Sequence, residues 1–204
     1  MEGSGMDGGT SRDELLQRIT MMEAMIAEGR AFTLKCGWIF VLWGLVDLTA
    51  MGWRYLMPHS HFAGHWAWPV CLAIGAVITV TGRMVQRRSE RSKSMRCHHV
   101  EAVWNMMGVA LALFVAGGIA SGLSWQNSYI AGILMIVGMA HAISAVILRW
   151  RFQGFVAVVW WVGGVAAFWA RSWSHVNWIM FVEMCVGMIA FGLYAMVMER
   201  RAHE

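Results

Sequence analysis

The sequence predicts an all-α polytopic membrane protein: six transmembrane helices arranged as three helical hairpins, with both termini on the cytoplasmic side. Three observations predict it. The chain is 58% hydrophobic and only 14% charged, against about 25% charged residues in an ordinary soluble domain. Six apolar segments recur, at 34–57, 66–83, 101–123, 128–149, 152–170 and 177–198, each near the ~20 residues that cross about 30 Å of hydrocarbon. Finally, all but Arg54 and Arg171 of the 16 Lys and Arg fall on one set of connections.

Taken in order, residues 1–10 are Gly/Ser-rich and read as a disordered tail. Ser11 opens an S-R-D-E capping box with Glu14. Leu15, Ile19, Met22 and Ile26 then follow at helical spacing, so 11–30 reads as an amphipathic cytoplasmic or interfacial helix, bent or ended at Gly29. It suits the inner membrane surface or packing on its own bundle, or else docking against a partner or a second copy. Residues 31–199 form the six-helix domain and 200–204 a cytoplasmic tail. Helices follow because a segment in lipid must satisfy its own backbone hydrogen bonds. Stretches such as GVALALFVAGGIA do not alternate as barrel strands do.

The basic residues set the orientation. They lie in the N-terminal region, the 83–100 loop, the Arg149–Arg151 turn and the C-terminal tail, which the positive-inside rule places in the cytoplasm. Trp53, Trp66, Trp68, Trp125, Trp173 and Trp178 then sit at the outer interface, and Trp38, Trp104 and Trp150 at the inner one. The same distribution accounts for the net charge of +4 without nucleic acid, which is not expected as a partner. Glycines at 75, 138 and 187 precede the basic ends of three spans, a pattern suited to three related hairpins in parallel around one axis. Cys36, Cys71, Cys97 and Cys185 show no disulfide spacing, and no removable signal peptide precedes the first span.

Ionisable groups inside the spans are the candidates for function, because each is costly in hydrocarbon. Asp47 lies mid-way along the first span, His141 in the inner half of the fourth and Glu183 in the outer half of the sixth; Arg54 is near the outer end of the first. Each of the three spans places a small residue on the same face, Gly44 with Asp47, Gly138 with His141 and Gly187 with Glu183. Two readings follow: structural pairs, Asp47 with His141 and Glu183 with Arg54, or a polar interior that carries a small solute, a cation or a proton.

The first outer loop holds a second constellation. His59, His61 and His65, beside Met57, offer imidazole and thioether ligands for Zn or Cu at the outer face; ordinary interfacial histidines are the alternative. Cys97-His98-His99 offers too few ligands for a closed site. No catalytic pattern is complete: I-A-S-G at Ser121 lacks the first glycine of a rhomboid-type protease motif, and His141 has no partner histidine at matched depth for haem. An enzyme is therefore not expected.

L-x-x-I-x-x-M from Leu16 to Met22, then Gly29-Arg30-Ala31-Phe32 and a Gly-rich first span, resembles a group of uncharacterised small six-span bacterial membrane proteins with an amphipathic N-terminal leader. The resemblance implies a multi-pass protein of the bacterial inner (cytoplasmic) membrane and carries no functional residues. The expected function is transport or sensing of a small solute or ion. The alternatives are a non-catalytic assembly subunit, alone or as a homo-oligomer, and an outer-face metal binder.

Overall fold

The computed structural model describes residues 7–57, 59–89, 98–122 and 126–203. Their regular structure is helical throughout: α1 (Asp7–Lys35), α2 (Gly37–Leu56), α3 (His61–Ser89), α4 (His98–Ala120), α5 (Asn127–Leu148), α6 (Arg151–Trp169), α7 (Trp173–Glu183), a π-helical segment (Met184–Ala190) and α8 (Phe191–His203). Six helices among them are long and apolar enough to cross a membrane.

The N-terminal leader differs from expectation in three respects. The helix starts at Asp7, so residues 7–10 are not an irregular tail and Ser11 lies inside the helix instead of capping it. Gly29 neither bends nor ends α1; it is buried, and the helix runs on to Lys35, breaking only at Cys36. Tertiary contact outweighs glycine's low propensity here, because this part of α1 lies against α5 and α8. Residues 1–6 lie outside the described residues. The C-terminal tail differs in the same sense, since α8 stays helical through His203.

Arg30 shows what holds α1 in place. Its guanidinium donates from Nε to the carbonyl of Leu148 at 2.7 Å and from Nη2 to that of Arg149 at 2.8 Å. Those carbonyls close α5, where the chain turns into α6. Arg149 takes a left-handed conformation (φ 49°), with its N–H directed to Val146 and that of Trp150 to Ala145, the Schellman arrangement. At the other end of the same helix pair, Asn127 Nδ2 donates to the Ala170 carbonyl at 2.6 Å. Arg30→Ala is expected to lower stability by about 2 kcal/mol, from two hydrogen bonds with a charged donor. Arg30→Lys should recover less than half, because an ammonium group lacks the planar fork that reaches both carbonyls. Thermal unfolding of the detergent-solubilised protein checks this; full recovery by lysine would show that charge alone matters.

The most extensive interface joins α5 to α6, and α7, the π segment and α8 pack onto this pair and onto α2. Phe40, Leu134, Val156, Trp160, Val176 and Phe191 belong to the main core. A smaller cluster of Val46, Ala50 and Cys71 joins α2 to α3. Close helix approach relies on small residues: an added Cβ on Gly37 would lie 2.8 Å from the Gly192 carbonyl oxygen, and one on Gly192 would lie 2.6 Å from that of Gly37. The glycines at 75, 138 and 187 are not equivalent in their contacts. Gly75 faces Val46, Gly138 faces chiefly the Trp161 indole and Gly187 faces the Trp160 indole.

Candidate functional site

His141 is the best-defined of the candidates. It is fully buried on α5, and four aromatic rings surround it. Trp104 of α4 and Phe191 of α8 present T-shaped contacts at centroid distances of 5.0 and 5.1 Å, Phe40 of α2 lies at 5.7 Å, and Trp160 of α6 is stacked at 6.4 Å. Five helices are thus within one ring's reach of this imidazole. Neither ring nitrogen has a hydrogen-bond partner. The pair with Asp47 is therefore not formed.

Glu183 ends α7 and is buried against α6, where its carboxylate lies over Gly163; a side chain there would displace it. Its Oε2 has no partner, and no ion pair joins it to Arg54 among the described residues. The π segment begins at the next residue, Met184. Such segments widen the helix by one residue and recur at functional sites. Here it brings Gly187 against the Trp160 indole, 2.5 Å from Nε1 to an added Cβ.

Asp47 lies elsewhere. It is half-buried on α2, beside the α2–α3 cluster, and interacts electrostatically with Cys71 of α3. Arg54, also half-buried, is nearer the end of α2 and has a partner of its own. The four ionisable candidates do not form one site; His141 and Glu183 share the α5–α6–α7 interior, and Asp47 belongs to the α2–α3 seam.

Three neutral residues complete that interior, and sequence reading did not single them out. Ser144 and Gln153 are fully buried, and Ser144 Oγ, both polar atoms of the Gln153 amide and Trp160 Nε1 have no hydrogen-bond partner. Ser144 is unusual among helical hydroxyls of this chain. Thr20, Thr33, Thr49, Thr79, Thr81 and Ser121 each donate to the carbonyl four residues earlier, and Ser144 does not. Gln153 stands in R-F-Q-G-F, the one amide within the α6 sequence. An uncharged polar residue amid apolar ones was the available signal, and a search restricted to ionisable groups passes over it.

These side chains form a row. α5 and α6 run antiparallel, with Gly154 beside Ala145 and Gly138 beside Trp161, so Ser144 and Gln153 share a level near the Arg149 turn. His141, Trp160 and then Glu183 follow at successive levels. From Gln153 to Gly163, which marks the level of Glu183, is ten residues of α6, or about 15 Å at 1.5 Å per residue. The row is therefore about half as long as a ~30 Å hydrocarbon layer is thick. A buried polar atom left without a partner costs about 1–3 kcal/mol. Glu183, His141, Ser144 and Gln153 can each accept a hydrogen bond, and all but an ionised Glu183 can also donate; the indole of Trp160 can only donate and cannot relay a proton.

The constellation of Met57, His59, His61 and His65 is less complete. Met57 and His59 are exposed, His61 and His65 begin α3, and the side chains of those two lie outside the described residues. Among the described residues no three His, Cys, Asp or Glu side chains gather as a metal site. Cys97 also lies outside them. Neither a protein-family model, nor a curated protein, nor a solved structure matches the chain.

Proposed function

We propose that this chain is a six-span protein of the bacterial inner membrane, with both termini cytoplasmic and its spans paired as three hairpins, and that it moves or senses a small polar solute or ion through the α5–α6–α7 interior. One observation carries the reading: seven buried polar atoms of His141, Ser144, Gln153, Trp160 and Glu183 have no protein partner. An interior built only for packing would place apolar side chains there, since an apolar isostere is nearly neutral and an orphaned polar atom is not. A guest carrying its own donors and acceptors supplies what these groups need. Because Trp160 cannot relay protons, the guest is a hydrogen-bonding solute or a hydrated ion rather than a bare proton handed from residue to residue.

Full-length protein reconstituted in vesicles provides the test, with potassium, sodium and osmotic water flux measured against empty vesicles. Flux of at least one is expected, falling about ten-fold in Glu183→Gln and in Gln153→Leu, the equivalent of one lost hydrogen bond of about 1.4 kcal/mol. Wild-type flux no greater than that of empty vesicles for all three probes would overturn the reading.

A second reading, an assembly subunit, draws on the leader. Leu15, Ile19 and Met22 are exposed on α1, the stripe that sequence spacing predicts. A homo-oligomer or another membrane protein would cover it. Crosslinking through Ile19→Cys in native membranes, compared with Glu23→Cys, distinguishes a covered stripe from a bare one.

A further inference from the structure

The α5–α6 turn carries a feature that lies away from the interior row. An open groove of about 530 Å³ runs between the two helices on their outer side, lined by Ala142, Ala145 and Val146 of α5, by Gly154, Ala157 and Trp161 of α6, and by Arg149, Trp150 and Arg151 at its mouth. From Ala142 to Arg149 it follows seven residues of α5, or about 10 Å along the helix. Small side chains create the space, and the floor is almost wholly apolar. The mouth is cationic. Both arginines are exposed, and neither guanidinium has a carboxylate partner among the described residues.

We infer that this groove is a binding site for an acidic glycerophospholipid, with the phosphate headgroup between Arg149 and Arg151 and the first part of an acyl chain along Ala142, Ala145 and Gly154. The inference rests on the six-span reading and is independent of what passes through the interior. Charge complementarity selects the class of occupant: two unpaired guanidiniums favour a phosphate, which arginine binds through a planar fork. The apolar floor selects an amphiphile over an acidic peptide. Geometry favours a fixed site as well. The Schellman turn sets the Arg149 backbone, and Arg30 grips its carbonyl from the opposite element, so the mouth is positioned before any lipid arrives. Trp150 borders the mouth of the groove, as amphipathic rings do at the level of lipid headgroups.

The test uses purified full-length protein in a neutral detergent, given equal amounts of dioleoylphosphatidylglycerol and dioleoylphosphatidylcholine, with retained lipid read by native mass spectrometry. Wild type is expected to retain phosphatidylglycerol in preference to phosphatidylcholine. The double variant Arg149→Asn, Arg151→Gln should lose roughly ten-fold or more of that retention, two basic groups being removed; asparagine tolerates the left-handed backbone at 149. Gly154→Leu should lose retention with both arginines intact, since an added Cβ there meets only the Ala145 Cβ, at 3.7 Å, and the side chain fills the groove. Two results would overturn the inference. One is retention in Gly154→Leu equal to that of wild type. The other is full displacement of the lipid by millimolar inorganic phosphate, which would assign the site to free phosphate. Because the readout is lipid retention, an absence of flux in the vesicle assay leaves it standing.

Discussion

Gly192→Ala is expected to destabilise the protein by about 3 kcal/mol, the upper part of the range for overpacking a tight interior. The reason is the identity of the atoms that a methyl group meets. An added Cβ lies 2.6 Å from the Gly37 carbonyl oxygen and 2.9 Å from the Val41 backbone nitrogen, with a Val41 methyl at 2.7 Å. Two of these three are main-chain atoms of α2 and cannot rotate away. Relief requires that α8 and α2 separate, and the loss extends along the whole contact. Gly108→Ala is the control with the opposite sign. It lies exposed on α4 with nothing within 4 Å of an added Cβ, so the change should stabilise by up to about 1 kcal/mol through helix propensity. Thermal unfolding of the two variants in one detergent checks the pair. A neutral Gly192→Ala would mean that α2 and α8 do not cross at this point.

His141→Phe is expected to separate stability from function. The imidazole occupies a cage of Phe40, Trp104, Trp160 and Phe191, and neither nitrogen has a partner. Phenylalanine keeps an aromatic ring in the cage and removes two buried polar atoms, each with a cost of about 1–3 kcal/mol when unpaired. Its larger ring offsets part of that gain. The net expectation is a protein as stable as wild type or about 1–2 kcal/mol more so, with flux lost. His141→Ala should instead cost about 2–4 kcal/mol through the cavity it leaves. Unfolding midpoints for the three proteins decide the matter. If the Phe variant falls as far as the Ala variant, the ring nitrogens have partners in the folded protein and His141 is a structural residue.

The spans were legible because a 20-residue apolar run has few alternatives in physical terms. The expected 128–149 and 152–170 fall within one residue of α5 and α6 at each end. The expected 66–83 and 177–198 are shorter than α3 and the α7–α8 rod, because helices continue past the apolar window into His61–His65 and Glu199–His203, where hydropathy gives no signal. Of the site, His141 and Glu183 were readable as buried ionisable groups on small-residue faces. Their lack of partners was not, since pairing depends on rotation about helix axes that composition leaves free. Asp47 shows the same limit: Gly44, paired with it by spacing, meets Met188 and Ile189, whereas Asp47 lies beside the α2–α3 seam. Arg30 stood within the quoted G-R-A-F, but a contact 118 residues away in sequence has no local signature.

The π segment has a consequence for how this protein tolerates insertions and deletions. Before it, α7 packs on α6 and α5; after it, α8 packs on α2 and α1. One surplus residue within Met184–Ala190 is what lets a single rod satisfy both seams. Deleting one residue of that heptapeptide would remove the surplus and leave a plain α-helix with both flanks in their present register, whereas the full-length segment in plain α geometry would turn everything downstream by about 100°. In the second case Gly192 would leave its crossing with Gly37 while Glu183 stayed at Gly163; in the first both contacts would be kept. The segment acts as a phase corrector that absorbs one residue between two seams, so homologues shorter by one residue here should keep the small residues of α8 in place and have a plain α-helix instead.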